Sequence, residues 1–180
     1  KKKLDLIKIN GGKKISSFDY NMPSDISSSA FFMVLTLLSD NSYLVIKNVN
    51  INPSRTGCIN ILNKMGAKII LKNKKNYRGE KIADIHVRSK DCFKPINCPV
   101  KYNASTIDEF LVIFLVAAKA NGVSYFKNLS ELNQKESPRL KLGSKILNMI
   151  GIKTKLTNNS IKIYGNPNLK LKNNFKIKNF

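Results

Sequence analysis

The sequence predicts an α/β protein in which one small unit, with the element order βαβαββ, occurs twice. The first observation is a repeat: LNKMGAKIIL (62–71) and LNMIGIKTKL (147–156) share Leu, Asn, Gly, Lys and Leu at matching positions. Each copy is typical of a helix end, a glycine that terminates the helix, and an alternating strand. The second observation is that the same elements precede both copies in the same order.

The first unit is predicted over residues 18–93. It begins with a strand at FDYNMP, followed by an apolar helix from Ile26 that Asp25 precedes. LVIKNVN (44–50) alternates as a strand does and closes on Lys-Asn. The helix that ends at LNKMG and two further strands, the last at IHVRS, complete the unit.

The second unit is predicted over residues 94–166, with the same elements about 80–85 residues later. INCPVKY is its first strand, and EFLVIFLVAAKA is a helix that Asp108 precedes. SYFKNLS (124–130) again closes a strand on Lys-Asn, and SIKIYG is the last strand. Strands that alternate with helices favour a mostly parallel or mixed sheet covered by helices.

Residues at both ends fit neither unit. We expect 1–17 to be the tail of a preceding domain or a linker, and 167–180 to be the start of a truncated third unit.

Composition bounds the possible functions. The chain has 180 residues and a net charge of +21, from 32 Lys and Arg against 11 Asp and Glu. This charge would attract any polyanion, but it is nearly all lysine and is spread over an Asn- and Ile-rich chain, which indicates a coding bias. A basic nucleic-acid-binding module remains an open alternative. No apolar stretch approaches the ~20 residues that span a bilayer, so we expect no membrane partner and a cytoplasmic location.

The cysteine and histidine pattern does not indicate a metal site. Cys58, Cys92 and Cys98 have no CxxC spacing, and His86 is the only histidine. A zinc site needs about four ligands, usually in close pairs. We therefore expect reduced cysteines, no metal and no cofactor.

The segment KESPR (135–139) holds one carboxylate between two cations. Ser137 is a favoured N-cap and Pro138 a favoured first helical residue, so a helix is predicted from Pro138 to Gly151. A helix N-terminus with Lys135 and Arg139 would bind a phosphate or carboxylate, and Glu136 could exchange protons there. A solvated capping turn is the alternative. Likewise, the helix dipole alone would explain Asp25 and Asp108.

Five segments, taken in order, favour a functional site over a solvated capping turn. MPSDISSSAFFMVLTLL, NVNINPSRTG, LNKMGAKI, IDEFLVIFLVAAKANG and LNQKESPRL together resemble the 5-enolpyruvylshikimate-3-phosphate (EPSP) synthase family of enolpyruvyl transferases over residues 18–165. The resemblance implies the family's inside-out α/β barrel, in which three βαβαββ units form each of two domains. The chain would hold two of the three units of the C-terminal domain, and the full-length protein would be a monomer.

The resemblance also implies an activity and site residues. The family transfers enolpyruvyl from phosphoenolpyruvate to the 5-hydroxyl of shikimate 3-phosphate and releases phosphate. By this resemblance Asp108 is a shikimate 3-phosphate ligand and proton-transfer residue, and Lys135 contacts the same substrate. Glu136 moves the methylene proton, and Arg139 binds phosphoenolpyruvate.

The sequence also departs from the family pattern. Pro138 replaces the usual Asp, and Glu131 stands where some members have Asn; Arg55 is expected to be structural. The family's Asp-His-Arg and late Lys motifs are not among these residues, so the 180 residues alone are expected to be inactive. Two alternatives remain open, namely UDP-N-acetylglucosamine enolpyruvyl transferase, which relies on a loop cysteine, and an inert structural remnant.

Overall fold

The computed structural model describes residues 6–12, 14 and 16–170. The predicted tail at 1–17 and third unit at 167–180 therefore lie partly outside the described residues, and both assignments remain predictions. None of the helices in the described part of the chain has both the length and the hydropathy of a membrane-spanning segment.

The first half of the chain contains two helices and three strands. Helix α1 is Ile26–Leu38, strand β1 Tyr43–Asn50, helix α2 Gly57–Lys64, strand β2 Lys68–Tyr77 and strand β3 Glu80–Arg88. Asp25 caps α1, because its carboxylate accepts the Ser28 N–H at 2.7 Å. Gly66, at φ +95°, follows the last turn of α2, as a helix-terminating glycine does.

The second half repeats this pattern with shorter strands. Helix α3 is Phe110–Ala118, strand β4 Val123–Phe126, helix α4 Arg139–Met149, strand β5 Thr154–Leu156 and strand β6 Ile161–Tyr164. Short 3-10 turns at Val100–Tyr102, Ala104–Thr106 and Ser130–Asn133 lead into α3 and α4.

The two sheets have the same topology, which supports the repeat read from the sequence. Their strand orders are β1-β3-β2 and β4-β6-β5, and all these pairs are antiparallel. Among the described residues, parallel pairing occurs only in isolated bridges outside these strands, including Ser24 with Val49 and Asn97 with Tyr125. Both sheets are therefore antiparallel, and the expectation of a mostly parallel or mixed sheet was wrong.

The predicted opening segments, FDYNMP and INCPVKY, are not strands; Ser24, directly after the first, and Asn97, within the second, form these isolated bridges. Ser24 exchanges hydrogen bonds with Asn48 and Asn50, and Cys98 N–H donates to Tyr125 O at 2.8 Å. Pro23 and Pro99 lack an N–H, so they do not extend the ladder.

One buried apolar core extends through both units. It includes Ile61 and Ile85 from the first unit and Ile163 from the second. In the second unit, Phe126 is fully buried, and its ring centroid lies 5.0 Å from Phe114 and 6.0 Å from Phe110. Helices α1 and α3 pack against each other, and this contact brings their N-terminal ends together.

Candidate active site

The site is formed where the segments before α3 and α4 meet. The two 3-10 turns at Val100–Tyr102 and Ala104–Thr106 lead to Asp108, which lies two residues before α3. Asn103 ties this segment to the end of β4, because its side-chain amide donates to Lys127 O at 2.8 Å and to Asn128 O at 3.0 Å. The chain then continues from Asn128 towards the KESPR segment, so one amide holds both loops together.

The start of α4 differs by one residue from the prediction. The helix begins at Arg139, and Pro138 rather than Ser137 occupies the N-cap position, without a side-chain cap hydrogen bond. The Pro138 carbonyl accepts the Leu142 N–H at 3.0 Å, and this is the first hydrogen bond of the helix. The Ser137 carbonyl accepts the Arg139 N–H at 2.7 Å. As a result, the Arg139 side chain leaves from the first helical residue.

The structure brings together all four residues that the sequence singled out. Arg139 Nη1 lies 3.2 Å from Asp108 Oδ1, and Lys135 Nζ lies 3.6 Å from the same oxygen. Arg139 Nη2 donates to Glu136 Oε2 at 2.7 Å. Asp108 thus faces two cations, and Arg139 bridges two carboxylates that lie far apart in sequence.

The charges of this cluster are balanced and partly solvated. The side chains of Lys135 and Arg139 are 26% and 24% exposed, whereas that of Glu136 is 81% exposed. A hydrogen bond from its own backbone N–H, followed by the hydrogen bond and charge of Arg139, lowers the pKa of Glu136 below its usual range. Glu136 is therefore a carboxylate at neutral pH in this arrangement.

Sequence reasoning missed two residues beside this cluster, Glu109 and Ser27. Glu109, next to Asp108, is only 3% exposed, and its carboxylate accepts a hydrogen bond from the Ser27 hydroxyl of α1. Burial raises the pKa of Glu109, and the charge of Asp108 acts in the same direction. The one available signal was an acidic residue directly before the apolar run FLVIFLVAA, but a favourable helix-dipole position explains that equally well.

A separate cleft of about 580 Å³ lies on the first unit, where Asp25 and Arg55 line it. None of the four predicted site residues lines this cleft, so it is not the predicted site.

The cysteines and His86 do not form a metal centre. Among the described residues, no three His, Cys, Asp or Glu side chains lie close enough to hold a metal ion. Cys58 and Cys98 are buried thiols, and burial raises the pKa of Cys58 to about 12. Cys92 is exposed. His86, on β3, shares a hydrogen bond between its Nδ1 and the Tyr43 hydroxyl.

Solved structures with this architecture define the class of protein. The enolpyruvyl transferase NikO from Streptomyces tendae matches with a TM-score of 0.55 at 15% identity, over 80% of this chain and 31% of that one. This likeness supports the fold. An EPSP synthase from Acinetobacter baumannii matches with a TM-score of 0.77 at 40% identity, over 79% of this chain and 32% of that one. The fold is that of the enolpyruvyl transferases.

The sequence comparisons then identify the family. The family model for EPSP synthase (3-phosphoshikimate 1-carboxyvinyltransferase) matches residues 1–174, so the chain belongs to the EPSP synthase family. This match is longer than the 18–165 over which the resemblance was read from motifs.

Curated relatives agree with this assignment. A 3-phosphoshikimate 1-carboxyvinyltransferase from Ruthia magnifica is 39% identical over 86% of this chain and 35% of its own length. One from Legionella pneumophila (strain Lens) is 42% identical over 81% of this chain and 33% of its own length. The chain thus spans about a third of the length of these relatives. The alternative branch that acts on UDP-N-acetylglucosamine is not favoured.

Proposed function

We propose that this chain supplies part of the active site of an EPSP synthase, which transfers enolpyruvyl from phosphoenolpyruvate to shikimate 3-phosphate and releases phosphate. The observation that carries the proposal is the contact of Asp108 with both Lys135 and Arg139. A capping turn alone would not need an aspartate from the segment before α3 to meet the two cations that flank Glu136.

The proposed roles follow from the chemistry. The 5-hydroxyl oxygen gives up its proton to Asp108 and forms a bond to C2 of phosphoenolpyruvate, while Glu136 adds a proton to the methylene carbon of phosphoenolpyruvate, which gives a tetrahedral intermediate. Loss of a methyl proton and of inorganic phosphate then restores the double bond. Asp108 accepts the hydroxyl hydrogen bond, and Lys135 contacts shikimate 3-phosphate and the reacting oxygen. Glu136 carries the methylene proton.

Arg139 has two parts in this scheme. It binds the anionic phosphoenolpyruvate, for which a planar guanidinium is well suited. After the hydrogen bond from its own backbone N–H, the same guanidinium lowers the pKa of Glu136 in the unliganded arrangement. An anion that draws Arg139 away from Glu136 therefore raises the pKa of Glu136 and favours its protonation. Substrate binding and the supply of the proton are thereby coupled.

The 180 residues do not supply a complete site in this proposal. In the cluster, two cations are already paired with two carboxylates. Phosphoenolpyruvate and shikimate 3-phosphate each add a phosphate and a carboxylate. Further cations are needed to bind them. We therefore expect binding but no turnover from the isolated chain. The function involves no nucleic acid or membrane partner, and the full-length protein is expected to be a monomer.

A hybrid enzyme tests the proposal. The matching third of the Acinetobacter baumannii EPSP synthase is replaced by this chain, and phosphate release is measured with both substrates. Glu136→Gln and Asp108→Asn should each lower kcat by about 10²-fold or more. Lys141→Gln, which removes one exposed positive charge from α4, is the matched control and should leave kcat unchanged. Full activity of the Glu136→Gln and Asp108→Asn hybrids would refute the assigned roles.

A further inference from the structure

A buried carboxylate directly beside the site lies between the two units. Glu109 is 3% exposed, although an isolated buried carboxylate costs several kcal/mol unless it is hydrogen-bonded. Its partner in the described chain is the hydroxyl of Ser27, which lies 82 residues earlier in the first turn of α1. The N-terminal segments of α1 and α3 are therefore joined by a polar contact within an otherwise apolar helix packing.

The Ser27 hydroxyl has a second partner. Arg55 Nη2 donates to Ser27 Oγ at 2.8 Å and also lies 3.7 Å from Asp25 Oδ1. The hydroxyl thus accepts from Arg55 and donates to Glu109, so both of its roles are used and its rotation is fixed. Asp25, in turn, is fixed because it caps α1.

Backbone packing holds the Arg55 loop against the same region. A Cβ atom added to Gly57 would lie 2.0 Å from Thr106 Oγ1 and 2.9 Å from the Ser105 carbonyl oxygen. Real Cβ atoms do not approach other atoms so closely, so the start of α2 reaches the Ser105–Thr106 segment only because residue 57 is glycine. That segment ends two residues before Asp108.

We propose that Arg55, Ser27 and Glu109 are positioning residues that fix Asp108 at the site. Arg55 orients the Ser27 hydroxyl, Ser27 holds the Glu109 carboxylate, and Glu109 fixes the backbone from which the Asp108 side chain faces Lys135 and Arg139. A preorganised carboxylate has fewer orientations to lose when a substrate hydroxyl binds. The catalytic importance of this positioning rests on the proposed function. The relay itself, the hydrogen-bonded series Arg55–Ser27–Glu109, is a property of this chain.

The NPSRTG motif thereby has a physical explanation. Arg55 reaches the relay through its side chain, and Gly57 lets the same loop lie against the segment that leads to Asp108. The first unit, which holds none of the four cluster residues, thus acts on the site in the second unit.

The test uses three matched serine variants of the 180-residue chain. Ser27→Ala removes the relay hydroxyl, Ser27→Thr keeps a hydroxyl, and Ser28→Ala removes a neighbouring hydroxyl that bonds to Asp25. Two signals are followed by NMR, the chemical shift of the Asp108 carboxyl carbon at neutral pH and hydrogen exchange of the amides at 107–110. Arg55→Gln, at a half-exposed position, is a second probe that leaves the core intact.

The proposal predicts a local effect with a defined rescue. In Ser27→Ala and Arg55→Gln, the Asp108 carboxyl signal should move and amide exchange at 107–110 should accelerate about tenfold, because the backbone there is no longer fixed, while exchange in strand β2 is unchanged. Ser27→Thr should restore both signals, and Ser28→Ala should leave both as in the wild type. An unchanged Asp108 carboxyl signal in Ser27→Ala, or equal acceleration of amide exchange in β2, would overturn the proposal.

Failure of the relay and failure of the proposed function give different results in these experiments. Phosphoenolpyruvate binding at Arg139 with a silent Ser27→Ala variant would refute the relay alone. A local Ser27→Ala effect without phosphoenolpyruvate binding would support the relay and refute the function.

Discussion

Replacement of Gly57 by alanine tests the packing between the NPSRTG loop and the segment that leads to Asp108. An added Cβ would lie 2.0 Å from Thr106 Oγ1, 2.3 Å from Ser105 Oγ and 2.9 Å from the Ser105 carbonyl oxygen. The last of these atoms belongs to the backbone, so a side-chain rotation does not relieve the contact. Overpacking of this kind costs about 1–3 kcal/mol, and the contact distances place Gly57→Ala at the upper end.

Gly143→Ala is the matched control. It also introduces alanine into a helix, which gains up to about 1 kcal/mol from helix propensity. Its Cβ would lie 2.9 Å from Leu111 Cδ2, the end of a flexible side chain, and 3.4 Å from the Phe114 ring. We expect Gly57→Ala to lose about 2 kcal/mol of unfolding free energy, and Gly143→Ala to stay within about 1 kcal/mol of the wild type.

Chemical denaturation with urea measures both variants. A loss of about 2 kcal/mol also lowers the Tm of a chain of this size by about 4–8 °C. Equal stability of the two variants, or a Gly57→Ala chain more stable than Gly143→Ala, would refute the argument that glycine is required for this close approach.

Three further predictions concern the core, the helix cap and the exposed carboxylate. Phe126→Ala should destabilise the chain by about 3–5 kcal/mol in denaturant titration, because Phe126 is fully buried against two other phenylalanine rings, and a loss below 1 kcal/mol would contradict this packing. Pro138→Asp should be about 1 kcal/mol more stable than Pro138→Ala, since only Asp can cap the free N–H groups of α4; equal stability would show that the cap position is misplaced. The pKa of Glu136 is lowered, so its contribution to stability is present above the ordinary value of 4.5 and is lost as the pH falls through the folded value. Arg139→Gln should move the Glu136 carboxyl titration in NMR to higher pH, and an unmoved titration would argue against their ion pair.

Much of the fold follows from local sequence signals. Helix α1 begins at Ile26 as predicted, because Asp25 is a strong N-cap and the apolar residues that follow have helical length. The glycines at 66 and 151 end α2 and α4, with φ values of +95° and +89°. The opening strands were wrong as continuous strands, since their register depends on pairing with β1 and β4 and proline limits that pairing.

The site was less accessible to sequence reasoning alone. Spacing placed Lys135, Glu136 and Arg139 together, but only the family resemblance linked them to Asp108, which lies 31 residues before Arg139. Glu109 was not predicted, because its partner Ser27 is 82 residues away and a helix-dipole role accounts for an acidic residue at that position. The helix start was wrong by one residue because Ser137 acts through its backbone carbonyl rather than its hydroxyl.

In the proposed function, Asp108, Lys135, Glu136 and Arg139 form a specific anion site and not merely part of a basic surface. The most direct test is an NMR titration of the chain with phosphoenolpyruvate at fixed ionic strength, with chloride as the matched salt. We expect saturable shifts at Arg139 and Lys135, an upward shift of the Glu136 pKa, and loss of these effects in Arg139→Gln. Small, non-saturating shifts spread over the lysines of the whole chain, with the same response in Arg139→Gln, would contradict it.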